Sequence, residues 1–280
     1  MSPVVLNADD YALTAGVCDG ILALAEAGRL SSTSAMVNMP HWPTRAGAAV
    51  ALRQRIALGL HLNLTFGQPL EPMPEFAPSG SFSSFATLAR RAFGGGLPAT
   101  EIRAEISRQI DRFSEVAGHA PEFVDGHHHV HVLPGIREAL IAVMKLRYPG
   151  GGPLLRDPAD RLSRILRRGI AVPKALTAAA LARGFRRCAE GAGFAVNDGF
   201  AGFSTFGRVP YAAEFQAFWL APGTRPIIMC HPGFADDELG DRDSIAARRP
   251  EEQRVLADFP RLPDMIWHPQ RTANASEFPW

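Results

Sequence analysis

Three short stretches of this chain place polar, chemistry-bearing side chains directly after apolar runs. Asp9 and Asp10 follow the apolar segment Pro3 to Leu6. Two adjacent carboxylates in a poorly hydrated setting repel each other. A cation or a dense hydrogen-bond network would relieve that repulsion, and a capped turn ahead of a helix would use the same residues structurally. The second stretch is Asp125-Gly126-His127-His128-His129-Val130-His131. Continued as a strand, it puts Asp125, His127, His129 and His131 on one face and turns His128 away. Wound as a helix, it brings His127 and His131 together at i,i+4. Neutral imidazoles gathered in this way are good metal ligands. The third is His231-Pro232-Gly233 after the apolar run Ile227 to Cys230, with Asp236 and Asp237 nearby either to orient the imidazole or to cap a turn. His61 joins these groups because it alternates with Leu58, Leu60, Leu62 and Leu64, sharing the opposite face with Gly59 and Asn63.

One carboxylate and two imidazoles make a hard-to-borderline metal set. Such an ion polarises a carbonyl and lowers the pKa of bound water. A second carboxylate can take the water's proton, and a histidine can protonate the departing nitrogen or oxygen. The chemistry is metal-assisted hydrolysis, with amide, ester and phosphoester all open. A non-catalytic carbohydrate-binding protein would also keep these residues. No dinucleotide glycine motif, P-loop, zincin helix or nucleophile elbow occurs. Phe82, Phe85 and Phe93 with Arg90 and Arg91 could face nucleic acid. The formal net charge of +1 gives no basic footprint for it, nor for an anionic membrane.

These residues need a scaffold that brings distant strand ends to one rim. Pro3 to Leu6 reads as a buried strand and Thr14 to Ala27 as a helix with Gly28 as its cap. A strand over Thr33 to Asn38 and a helix from Pro43 to about Gln54 follow. The alternation of Ile56 to Thr65 predicts a strand with leucines beneath helices and His61 facing a central space. Residues 67–98 are rich in Pro, Gly and Ser, a loop excursion with a short helix near Phe85 to Arg91. Ile102, Ile106, Ile110, Phe113 and Ala117 make the core stripe of a helix over Ala99 to Ala117. Further on, the pattern gives a strand at Glu122 to Asp125 and a helix opened by Pro134. Ala175 to Glu190 is helical, Phe194 to Asn197 a strand, and Val209 to Leu220 a helix. Pro226 to Cys230 forms another strand, and Arg249 to Phe259 a last helix before a polar tail. Strand, polar residues, helix, repeated, argues a mostly parallel α/β fold with its site at the C-terminal strand ends.

The 280 residues, 46% of them hydrophobic, suffice for one large α/β domain, and residues 1–280 are expected to form a single one. Cys18, Cys188 and Cys230 are far apart, which argues against a disulfide framework or a cysteine-rich zinc site. No charge-free apolar run reaches membrane-spanning length, and the first residues lack a signal peptide's pattern. A cytoplasmic location is the default expectation, and a homodimer the default assembly.

The order Asn7-Ala8-Asp9-Asp10-Tyr11, Leu30 to Asn38, Gly59-Leu60-His61-Leu62, Asp125 to His131 and Cys230-His231-Pro232-Gly233 resembles the YdjC-like carbohydrate deacetylase family, which includes chitooligosaccharide deacetylases. The resemblance implies a distorted TIM-like barrel that removes acetyl groups from N-acetylated sugars with a divalent metal. It implies Asp10, His61 and His127 as ligands, Asp9 as base and His231 as acid, while His129 and His131 match without a defined job. Magnesium is the ion it implies, whereas two nitrogens and one carboxylate suit zinc. The family's Asp-Asp-Phe-Gly is Asp9-Asp10-Tyr11-Ala12 here, and Ala12 gives up glycine's ready access to positive φ, so a changed turn is expected.

Overall fold

The computed structural model describes residues 3–240 and 243–269. The tail expected after the last helix lies, from residue 270 onward, outside the described residues. Seven parallel strands form a curled sheet surrounded by helices, a half-barrel of the distorted TIM-like kind. They are β1 (Val5–Tyr11), β2 (Ser32–Ala35), β3 (Ala57–Leu62), β4 (Phe123–Gly126), β5 (Leu154–Leu155), β6 (Phe200–Ala201) and β7 (Ile227–Cys230). The order across the sheet is β5-β4-β3-β2-β1-β7-β6. The segment before β6 turns back toward the far edge, where Val196 makes an isolated parallel bridge with Leu155.

Strand alternation sorts the side chains into two layers. Leu6, Ala8, Leu58, Leu60, Leu62, Val124, Ile228 and Cys230 point outward into the main core beneath the helices. Val5, Ala57, Phe123, Leu154, Phe200, Ile227, Met229 and Trp267 pack in a second cluster inside the curl. Gly59 belongs to that inner face, because a Cβ there would lie 2.4 Å from the Phe123 ring. The floor is therefore apolar and filled, and the polar inward residues lie one layer higher, toward the C-terminal strand ends.

The helices are α1 (Ala15–Glu26), α2 (Trp42–Ala51), α3 (Phe85–Phe93), α4 (Ala99–Ala117), α5 (Ile136–Arg147), α6 (Leu162–Arg168), α7 (Val172–Leu181), α8 (Phe185–Gly191), α9 (Tyr211–Phe218), α10 (Arg249–Asp258) and α11 (Leu262–Met265). Thr14 caps α1 by accepting from Val17 N at 3.3 Å. The α4 stripe is buried as expected, and Phe113 stacks on Trp42 at 5.6 Å. The single helix expected over Ala175 to Glu190 is two, α7 and α8, divided at Gly184 with φ 89°. The strand expected at Phe194 to Asn197 is reduced to the Val196 bridge, with β6 beginning at Phe200. Residues 147–173, without legible periodicity, contain β5 and α6, elements too short to show one.

Candidate metal centre

Inward alternation along β1 gives Val5, Asn7 and Asp9, so Asp10 by the same rule would point out under the helices. It does not. The pairing of β1 with β2 shifts register between Ala8 and Tyr11, and Asp10 has φ 69°. That bulge re-aims Asp10 inward, and both adjacent carboxylates reach the same rim. Ala12 has φ 75°, so the turn expected to change without glycine takes the left-handed conformation nonetheless. Tyr11 is buried and donates its hydroxyl to Arg45 O at 2.7 Å.

Asp10 Oδ1 lies 3.1 Å from His61 Nε2 and 3.0 Å from His127 Nδ1. One ligand atom from each of the three lies within 4.8 Å of the other two. His61 Nδ1 is held by Asp125 Oδ1 at 2.6 Å, which fixes the ring and commits Nε2 to the centre. Burial opposes a charge on His61, but Asp125, Asp10 and Asp9 outweigh it and push its pKa up to about 10. This local excess of negative charge favours a cation. Asp9, His61 and Asp125 form a second cluster of suitable atoms. Arg156 fills it instead, pairing with Asp9 Oδ1 at 2.6 Å, Asp9 Oδ2 at 2.7 Å and Asp125 Oδ2 at 2.7 Å. Asn7 also donates to Asp9 Oδ1 at 2.6 Å. Burial works to raise the Asp9 pKa, yet Arg156 and His61 hold it well below the usual carboxylate range, so Asp9 is ionised.

The histidine stretch is neither of the two forms expected. His127 to Val132 is a 3₁₀ turn in which His128 and His129 are left-handed, with φ 53° and 57°. His127 still faces Asp10, two positions after the inward Asp125. His128 stacks over His127 with ring centres 4.0 Å apart and meets Thr65 Oγ1 at 3.1 Å. His129 faces Phe200 and Phe203 edge-on. His131 is buried with Nε2 2.6 Å from Arg156 O, so it anchors the end of β5 rather than joining the centre. Burial lowers the pKa of His128 and of His131 to about 3, and that of His129 well below its ordinary value.

His231 follows β7 and lines the same cleft as Asp9, Asp10, His61 and His127. Its backbone N–H donates to Glu252 Oε2 at 2.6 Å. Asp236 does not orient it. That carboxylate accepts from Gly16 N and Leu239 N, a turn cap. Three residues escaped the sequence reading. Arg156 sits just past a two-residue strand that leaves no pattern. Arg249 reaches Asp10 Oδ2 at 2.6 Å and Asp243 Oδ2 at 2.5 Å from the first turn of α10. Glu252 lies one turn further along it. Arg and Glu there are ordinary surface residues by composition, and only the fold buries them.

The donor set fits a divalent ion: two imidazole nitrogens and one carboxylate oxygen converge, and the protein's own guanidinium groups are already engaged on other oxygens. The cleft above it encloses about 530 Å³. A curled parallel sheet with a carboxylate–imidazole metal centre at its C-terminal rim defines the class, an α/β barrel with a divalent-metal site. The chain belongs to the YdjC-like family, whose model matches residues 3–265. It is similar to chitooligosaccharide deacetylases of Enterobacter sp. (strain 638), 37% identical over 133 residues, and Yersinia pestis (strain Pestoides F), 39% over 134 residues. Each match covers 48% of this chain and 52% of the relative, so the chain spans about half the length of the curated relatives it matches. In fold it is similar to a crystal structure from Enterococcus faecalis V583, described provisionally as a cellobiose-phosphate cleavage protein, with TM-score 0.68 and 21% identity over 92% of this chain and 91% of that one. Among the described residues, no helix is long and apolar enough to cross a membrane.

Proposed function

We propose that this chain is a metal-dependent hydrolase that removes the acetyl group from an N-acetylated amino sugar or short oligosaccharide. The observation that carries the reading is the convergence of Asp10 Oδ1, His61 Nε2 and His127 Nδ1 in a cleft also lined by Asp9 and His231. The names of the relatives supply the bond and the substrate class. Asp10, His61 and His127 would hold the ion, which when bound supplies Lewis acidity and a water of lowered pKa. Asp125 keeps the His61 ring in place. Asp9, held ionised by Arg156, accepts a proton from the attacking water. His231 delivers a proton to the departing amine nitrogen, and Glu252 fixes the backbone from which it projects. Phe203 and Phe206 give the cleft an apolar wall for the sugar's CH face.

The nitrogen-rich donor set supports Zn²⁺, while the resemblance implies Mg²⁺. Metal analysis of untagged protein purified without chelator separates the two. We also take residues 1–280 as one domain, cytoplasmic and homodimeric by default; limited proteolysis, fractionation and sedimentation check these in turn. The central test is acetate release from N-acetylglucosamine oligomers with chelator, then with Zn²⁺ or Mg²⁺ restored. Release that is abolished by chelator and recovered with metal is expected. No release across the panel with metal present refutes the activity.

A further inference from the structure

A second chamber of about 430 Å³ opens beside the catalytic cleft. Its walls include Met39, Pro40, His41, Phe66, Glu238 and Asp243. Met39 to His41 follow β2 and Phe66 follows β3, so this chamber stands on the same C-terminal rim as the metal centre. The catalytic cleft extends over the segments after β4, β5 and β6, where His127 to His129, Lys174 and Phe203 line it. The two spaces share Asp243. They also meet at Phe66, whose ring packs edge-on against His127 at 6.2 Å. The ligand set thus stands between two chambers rather than at the end of one.

The chamber is built and not a chance gap. Asn63, fully buried, accepts from Phe66 N at 3.0 Å and donates to Phe66 O at 2.7 Å, which fixes the ring's backbone. Asp243 is tethered through Arg249 Nε. On the outer rim, His41 Nε2 meets Glu238 Oε2 at 2.6 Å. A ring face and a thioether beside two carboxylates and an imidazole match a pyranose, which presents apolar CH faces and donating hydroxyls. Glu238 and Asp243 disfavour an anionic occupant.

We propose that this chamber is a second sugar subsite, holding the next uncharged residue of an oligosaccharide whose acetamido group lies at the metal centre. The proposal rests on the carbohydrate reading above and adds chain-length selectivity to it. Affinities of the full-length protein for N-acetylglucosamine di-, tri- and tetrasaccharides should be measured by calorimetry in the Asp9→Asn background, with acetate release followed separately in the otherwise unaltered protein. Affinity should rise about tenfold from one of these lengths to the next as the chamber fills, a step of about 1.4 kcal/mol. Pro40→Trp, at an exposed position on the wall, should fill the chamber and abolish the rise while leaving the disaccharide's affinity within about twofold. Glu238→Ala removes an acceptor without adding bulk and should reduce the same rise. Affinity independent of length, or a rise undiminished in both variants, overturns the subsite. Length-dependent binding without acetate release would keep the subsite and refute the deacetylase reading. Acetate release without any length dependence would do the reverse.

Discussion

Replacing Arg156 with methionine should be far more damaging than loss of an ordinary ion pair. Arg156 is fully buried and makes charge-assisted contacts of 2.6, 2.7 and 2.7 Å to Asp9 and Asp125, both also buried. Methionine fills much of the same volume but leaves two carboxylates without their cation. Breaking a buried pair from one side costs about 3–5 kcal/mol, against ~0–1 for an exposed one. The loss should depend on pH. In the native protein Asp9 is held below its ordinary range, so it contributes stability at pH above its unfolded pKa and loses it as pH falls. Without Arg156, burial raises the Asp9 pKa, and the folded state prefers the protonated form. The deficit should therefore be largest near neutrality and shrink toward about pH 4. Urea unfolding followed by circular dichroism, with chelator in every sample, gives the difference at two pH values. Arg156→Lys, which keeps a charge but loses the fork, should fall between the parent and the methionine variant. A deficit under about 1 kcal/mol at neutral pH, or one equal at both pH values, would refute the role assigned to this pair.

Asp9→Asn should retain metal and lower kcat by roughly 10²–10⁴-fold, the scale of general acid–base catalysis; loss of the ion would reverse the roles of Asp9 and Asp10. Asp10→Asn, His61→Ala and His127→Ala should each weaken metal binding in calorimetric titration, with excess ion partly rescuing Asp10→Asn. His231→Ala should keep the metal and slow turnover most for substrates with poor leaving groups, which steady-state kinetics over a leaving-group series would register. Ala12→Gly relieves left-handed strain of about 1–2 kcal/mol but loses a buried methyl and gains unfolded-state entropy, so it should be nearly neutral. Ala8→Gly, equally buried on the same strand without positive φ, should cost about 1–2 kcal/mol in the same unfolding assay.

The parts of the molecule that repeat at a fixed period were legible in the chain. The leucines of β3 revealed which way His61 faces, and the isoleucine stripe revealed α4. What could not be read was local backbone geometry of low intrinsic preference. Nothing in the alternation of β1 announces that Asp10 breaks it, and no propensity places His128 and His129 in the left-handed region. Those conformations persist because tertiary packing holds them. Nor could composition distinguish Arg156 and Arg249 from surface arginines, since their burial depends on carboxylates more than a hundred positions away.

The contact between Arg249 and Asp10 joins residues separated by 239 positions, and Glu252 in the same helix holds the residue after the last barrel strand to form its pairing, β7. This has a consequence for the order of assembly during synthesis. Most of the barrel, β1 included, leaves the ribosome before α10 exists, and until then Asp10 has both oxygens free and a mobile rim around it. The finished geometry of the centre arrives only with the last tenth of the chain. A nascent protein is thereby kept from presenting a completed hydrolytic site to the cell, and chains stopped short of α10 should be folded in part but catalytically silent.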